Sequence, residues 1–334
     1  MTFGGNLGAV GTASELNQSG SLFFAASLML CGTLDGRSLR RMIDELLSLI
    51  AELEGDRSLD RPDRVRLRID ALDRLDAYLL NGESPVPAAQ SVEAEIYQRA
   101  KQLYNRLEVV NLALYQAIRG QIQRRDGHDL LLRSIDQSGP DYGAASRVNA
   151  ESYDDLDELI GGVLQLESPE MRGAQLDSEM VPYQPTPARH IFDLIGRIGL
   201  GERDVLVDFG SGLGHVPLLA GICTVARSIG IELEAAYVHC ARQSARALKL
   251  SNVTFIQQDA READLSAGTV FYLYTPFIGT ILRAVLDSLQ HEAALREIRV
   301  CTFGPCTATV VHEPWLESID SPAGGRPAVF SSRN

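Results

Sequence analysis

Val205-Leu-Val-Asp-Phe-Gly-Ser-Gly-Leu-Gly-His215 runs from apolar-biased residues through one acid into three glycines spaced two apart. The pattern predicts a buried strand, a glycine loop and a helix over roughly Val216 to Ala226. Glycines in such a turn allow sharp bending and close approach of the backbone, and the helix that follows presents unpaired N–H groups, so a small polar ligand is expected there.

The spacing selects among ligands. A dinucleotide fingerprint, G-x-G-x-x-G, would need its third glycine at position 215, which is His215; the third glycine is Gly214. A P-loop is excluded, because the only lysines, Lys101 and Lys249, lie outside any glycine loop. Three more segments repeat a strand ending in a polar group. Arg227-Ser-Ile-Gly-Ile-Glu232 ends in an acid 22 residues after Gly210, where a doubly wound sheet places a carboxylate for ribose hydroxyls. Val253-Thr-Phe-Ile-Gln-Gln-Asp-Ala260 ends in Asp259, and Val270-Phe-Tyr-Leu-Tyr-Thr-Pro-Phe277 runs into a proline and an aromatic.

Asp208-x-Gly210-x-Gly212-x-Gly214 closely resembles the first motif of class I S-adenosylmethionine (SAM) methyltransferases, and the other strand ends recur in that family's order. Pro182-Tyr-Gln-Pro-Thr-Pro187, just before a helix at Ala188 to Ile198, resembles the pre-motif of many such enzymes and the Thr-Pro segment of the histone-lysine methyltransferases that lack a SET domain. The resemblance implies an α/β fold: a doubly wound, mostly parallel Rossmann-like sheet. It implies a SAM site formed by Tyr183, Thr186, Asp208, Gly210, Ser211, Gly212, Gly214, Glu232, Asp259 and Ala260. Glu232 would hold the ribose, Asp259 the adenine amino group with the adjoining backbone at the ring edge, and Tyr183 and Thr186 would cover the methionine end. Tyr274, Thr275 and Phe277 are the candidate catalytic or acceptor-side residues. Thr275 departs from the Asn/Asp-Pro-Pro-Tyr/Phe motif of amino-nitrogen enzymes, which leaves that acceptor chemistry open.

Prolines forbid a helix before Ala188, and Thr186 is expected to cap the helix that starts there. His190 and His215 are read as structural histidines. The remaining alternation gives a helix from Ile278 to Leu295, a strand from Ile298 to Phe303, a short segment around Trp315 and a last strand from Ala328 to Phe330, with the final helix reduced to a turn.

Upstream the period changes. Leu39, Ile43, Leu46, Leu47 and Ile50 mark one helix; Val65, Ile69, Leu72, Leu75 and Leu79 a second; Ile96, Leu103, Leu107, Val110, Leu114, Ile118 and Ile122 a long third. The expected organisation is a disordered tail over 1–34, an all-α domain over 35–150, a linker with an acidic helix (Tyr153 to Leu166) over 151–180, and a SAM-binding domain over 181–334. The apolar stripes are most simply the core of a bundle, and the third helix is long enough for a homodimer seam.

A net charge of −13 argues against a nucleic-acid footprint, leaving a small-molecule or protein methyl acceptor. Five cysteines without CxxC spacing fit a reducing cytoplasm and no metal site. No apolar run reaches the length of a membrane helix. A SAM-binding scaffold without activity, or one that binds a partner, is the alternative to an enzyme.

Overall fold

The computed structural model describes residues 36–79, 92–124, 131, 153–166, 169, 178–319 and 325–333. The expected tail over 1–34 lies outside them. The chain divides into two compact units, Met1–Tyr115 and Gln116–Asn334.

The first unit is helical among its described residues. Helix α1 spans Gly36–Gly55, α2 Val65–Leu79 and α3 Val92–Gln123, the last two turns of α3 falling in the second unit. Their apolar stripes meet in a core that includes Leu46, Ile50, Leu72, Leu75, Leu103 and Leu107. Leu47, expected on the inward stripe of α1, is 41% exposed, and Leu49 and Leu53 are buried instead. Arg68 is fully buried among these helices: it donates to Asn111 Oδ1 at 2.7 Å and to the carbonyls of Leu59 at 3.1 Å, Pro62 at 3.3 Å and Arg61. Charge-assisted bonds of this kind are what make burial of a guanidinium tolerable.

The second unit is a seven-stranded sheet in the order β3-β2-β1-β4-β5-β7-β6. Its strands are β1 Val205–Phe209, β2 Arg227–Glu232, β3 Val253–Gln257, β4 Val270–Tyr274, β5 Arg299–Phe303, β6 Leu316–Ser318 and β7 Ala328–Ser332. The first five pair in parallel, whereas β7 runs antiparallel to both β5 and β6. The segment around Trp315, read from the sequence only as short, thus leads into the edge strand of an antiparallel hairpin. The helix before it, Thr307–Val310, is a single turn.

Every residue of β1 is buried, because helices cover the sheet on both faces and β1 lies inside it between β2 and β4. Val205, Val207 and Phe209 share a core with Phe271 and Leu273 of β4 and with Ile281, Leu282, Val285, Leu286 and Leu289 of α8 (Gly279–Leu295). Alternation sends Leu206 and Asp208 to the other face. There Ser228, in register with Leu206, donates to the Pro217 carbonyl of α6 (His215–Cys223) at 3.0 Å. Helix α6 therefore ends three residues before the expected Ala226, and Thr224 closes it by donating to the Ala220 carbonyl at 2.8 Å.

Helix α4 (Asp155–Leu164) and α5 (Ala188–Ile198) stand ahead of the sheet, and α7 (Ala235–Ala247) links β2 to β3. The capping expectation for α5 is corrected. Thr186 makes no cap; its hydroxyl bonds the Tyr272 hydroxyl at 3.0 Å, and the first N–H of α5, on Ala188, is taken by Asp157 Oδ1 of α4 at 2.6 Å. Among the described residues no helix is long and apolar enough to cross a membrane.

Candidate functional site

The parallel strands end on one edge, and β1 and β4 leave it in opposite directions, which opens the crevice where ligands of doubly wound sheets bind. Gly210, Gly212 and Gly214 all have positive φ (65°, 51° and 87°), a conformation costly for any residue with a Cβ. Packing adds to this demand: a Cβ would stand 2.4 Å from Pro276 at Gly210, 1.9 Å from the Tyr183 ring at Gly212 and 2.5 Å from Phe255 at Gly214. The loop is anchored to β2 by the N–H groups of Gly210 and Ser211, both donating to the Ile231 carbonyl.

Two carboxylates face this loop. Asp208 is buried. Burial, and then the nearby Glu232, push its pKa well above the usual carboxylate range. Glu232 reaches back from the end of β2, where Oε2 accepts from the Gly212 N–H at 2.8 Å and Oε1 from the Glu234 N–H at 2.9 Å. Its pKa is also raised by burial, partly offset by those backbone donors. Ser211 adds a buried hydroxyl with no hydrogen-bond partner among the described residues. Two desolvated acids and an orphaned hydroxyl around a glycine loop suit a ligand that carries positive charge and several hydroxyl donors.

Tyr183 covers the loop. Its ring sits on Gly212 and against Tyr237, with centroids 5.0 Å apart, and its hydroxyl lies 3.2 Å from His215 Nδ1. Burial lowers the His215 pKa to about 4, so the imidazole is neutral at pH 7 and able to accept from the phenol. The segment carrying Tyr183 is pinned beside the end of β4, where Val181 N–H donates to the Pro276 carbonyl at 3.2 Å and Ile278 N–H to the Glu179 carbonyl at 2.9 Å.

The remaining positions divide. Asp259 and Ala260 stand at the next strand end, joined to Glu232 through the Gln258 N–H at 3.0 Å. Asp259 caps the short 3-10 turn that Ala260 opens, and Arg261 holds its carboxylate at 2.6 Å, which lowers its pKa. Tyr274 is half-buried and packs on Phe303 at 4.9 Å. Thr275 and Phe277 turn into the fold. The Thr275 hydroxyl donates to the Phe303 carbonyl and accepts from the Cys306 N–H, both at 3.0 Å, and Phe277 is buried in the core against α8. The Thr275 hydroxyl is thus engaged on both sides and the Phe277 ring is enclosed.

His215, Tyr237, Tyr272 and Asp157 shape the site but were not chosen as site residues from the sequence. Tyr237, in the first turn after the β2 acid, could have been found by its place; Tyr272 lies within an apolar strand and gave no signal. Among the described residues no group of three or more His, Cys, Asp or Glu is placed to hold a metal ion.

Strand order, the antiparallel seventh strand and the glycine loop after β1 define the class I, Rossmann-like methyltransferase fold, whose cofactor is S-adenosylmethionine. The family model described as "Histone methylation protein DOT1" matches residues 175–267, which hold the segment before α5, the glycine loop and the acids of β2 and β3. Among solved structures, similarity extends to an RNA methyltransferase from Salinibacter ruber in complex with S-adenosyl-L-homocysteine (25% identity, 45% of this chain, 92% of that chain, TM-score 0.36). It extends also to the putative methyltransferase yhhF from Escherichia coli (17% identity, 49% of this chain, 92% of that chain, TM-score 0.36). A third is geranyl diphosphate C-methyltransferase from Streptomyces coelicolor A3(2), in complex with Mg2+, geranyl-S-thiolodiphosphate and S-adenosyl-L-homocysteine (21% identity, 35% of this chain, 43% of that chain, TM-score 0.30). No curated protein matches the chain.

Proposed function

We propose that this chain is a SAM-dependent methyltransferase whose cofactor lies across the β1–α6 loop, with Asp208, Ser211, Glu232 and Tyr183 as its contacts. One observation carries the reading: a buried carboxylate, Asp208, a partly buried one, Glu232, and the buried Ser211 hydroxyl, which has no hydrogen-bond partner among the described residues, gather at one glycine loop. Bound there, the cofactor supplies an electrophilic methyl carbon for in-line displacement. The chain's own work is then orientation. Asp208 takes ammonium or hydroxyl donors, Glu232 the ribose hydroxyls, and the Tyr183 ring shuts water from the loop. Asp259 and Ala260 are proposed for the adenine edge, where adenine has to share Asp259 with Arg261.

The acceptor is proposed to be a protein side chain or a small molecule, approaching near Tyr274. The family-model match over 175–267 supports the protein acceptor, and the net charge of −13 disfavours nucleic acid. Calorimetric titration with SAM tests the first half; tritiated methyl transfer into lysate, with and without protease treatment, tests the second. Absence of binding would end the proposal. A second reading, cofactor binding without transfer, is favoured by the inward-turned Thr275 and Phe277, and it predicts SAM binding with no labelled acceptor in any fraction.

A further inference from the structure

The cofactor segment Pro182-Tyr-Gln-Pro-Thr-Pro187 has little means of holding itself in place. Its three prolines lack N–H groups, so it cannot extend the sheet ladder. At one end Val181 N–H reaches the Pro276 carbonyl, and at the other Thr186 reaches the Tyr272 hydroxyl. In the middle the Tyr183 hydroxyl meets His215, and two further ties come from α4 and the residues just before it. The Tyr153 hydroxyl donates to the Pro185 carbonyl at 2.8 Å, midway between Tyr183 and the start of α5. The Asp157 carboxylate closes two helices at once: Oδ2 accepts from the Asp154 N–H at 2.9 Å in the capping box of α4, and Oδ1 accepts from the Ala188 N–H. Arg189 Nη1 on Asp154 Oδ2, at 3.1 Å, fastens the same two helix starts. Helix α4 is itself held from behind, with Ser244 Oγ on the Leu164 carbonyl at 2.8 Å and Arg119 on the Val163 carbonyl at 2.5 Å.

We propose that Tyr153 and Asp157 are positioning residues for cofactor binding: through Pro185 and Ala188 they hold the segment that lays Tyr183 on Gly212. Both bonds land on the segment's own backbone, at Pro185 and Ala188, so the effect passes through the segment. The proposal rests on the cofactor site proposed above, and the test separates the two. Full-length wild type, Tyr153→Phe, Asp157→Asn and Asp157→Ala are compared by hydrogen–deuterium exchange without ligand and by SAM titration and turnover.

Tyr153→Phe keeps the ring and deletes one bond. It should speed exchange over residues 183–191 while leaving 205–209 and 270–274 unchanged, and should weaken SAM affinity about three- to tenfold with kcat at saturating SAM retained. Asp157→Ala should do more and Asp157→Asn less, since the amide keeps one acceptor oxygen. Unchanged exchange over 183–191 overturns the proposal, as does faster exchange with wild-type affinity. A loss that falls on kcat, or that tracks the drop in Tm, assigns both residues to stability alone and also overturns it. A wild-type chain that binds no SAM removes the cofactor site itself, a result read before any variant is made.

Discussion

The Tyr183 ring lies directly on the backbone of Gly212, so that a Cβ at position 212 would stand 1.9 Å from Tyr183 Cε2. The glycine is required twice over, by its φ of 51° and by the aromatic ring above it. The two demands can be separated. Gly212→Ala should weaken SAM binding at least tenfold by calorimetry. Against a Tyr183→Ala background the same substitution should cost less, with a coupling of about 1 kcal/mol or more. Additive effects would mean that the ring and the glycine act independently.

Glu232 both shapes the loop and offers its carboxylate to the ligand. Glu232→Ala removes the acceptor for the Gly212 and Glu234 N–H groups, and SAM affinity should fall by about 1.5–3 kcal/mol if the bonds are charge-assisted. Glu232→Gln keeps one acceptor oxygen and should fall between the two. Titration of both variants beside wild type is the check, and an unchanged Glu232→Ala would remove this residue from the site.

Asp157 and His215 set opposite pH dependences. Burial raises Asp157 from 3.8 to about 7, so its contribution to stability is full below pH 3.8 and is lost as pH rises through 7. Burial lowers His215 from 6.5 to about 4, so its contribution is full above pH 6.5 and is lost as pH falls through 4. In wild type the two partly cancel between pH 4 and pH 6.5. Asp157→Asn should expose the histidine term, and urea unfolding should show stability falling on acidification by up to about 1.4 kcal/mol per pH unit more than in wild type. Parallel curves for the two proteins would contradict the assignment.

Thr275 is a β-branched residue at φ 41°, and its hydroxyl joins the ends of β4 and β5. Thr275→Val keeps the shape but leaves the Cys306 N–H without its acceptor, at a cost of about 1–3 kcal/mol. Thr275→Ser should stay near wild type. Chemical denaturation reads the difference, and turnover at saturating substrate, where the protein is folded, should be similar in both. A selective loss of kcat in Thr275→Ser would restore the residue to the acceptor side.

The glycine loop, the acid of β2 and the succession of the first five strands along the chain were legible because each is a property of neighbouring residues. An apolar run that breaks into spaced glycines has few foldings, and an acid at a strand end stays at that end in any register. The β6–β7 hairpin was only half visible, since a three-residue strand with two exposed positions carries almost no period. Thr186 shows the limit of local rules. A threonine two residues ahead of a helix reads as a cap, yet a carboxylate from another helix takes the Ala188 N–H.

The chain's own spacing and chemistry therefore determined the class of fold and the composition of the loop at Asp208 to Gly214. Tertiary structure alone decided how those groups are used, because the partners that matter are far apart in sequence: Thr186 meets Tyr272 across 86 residues, Asp157 meets Ala188 across 31, and Thr275 meets Phe303 across 28. Hydrogen bonds reach only about 3 Å, so which hydroxyl is left for a ligand and which is consumed by the fold depends on how the strands and helices finally pack.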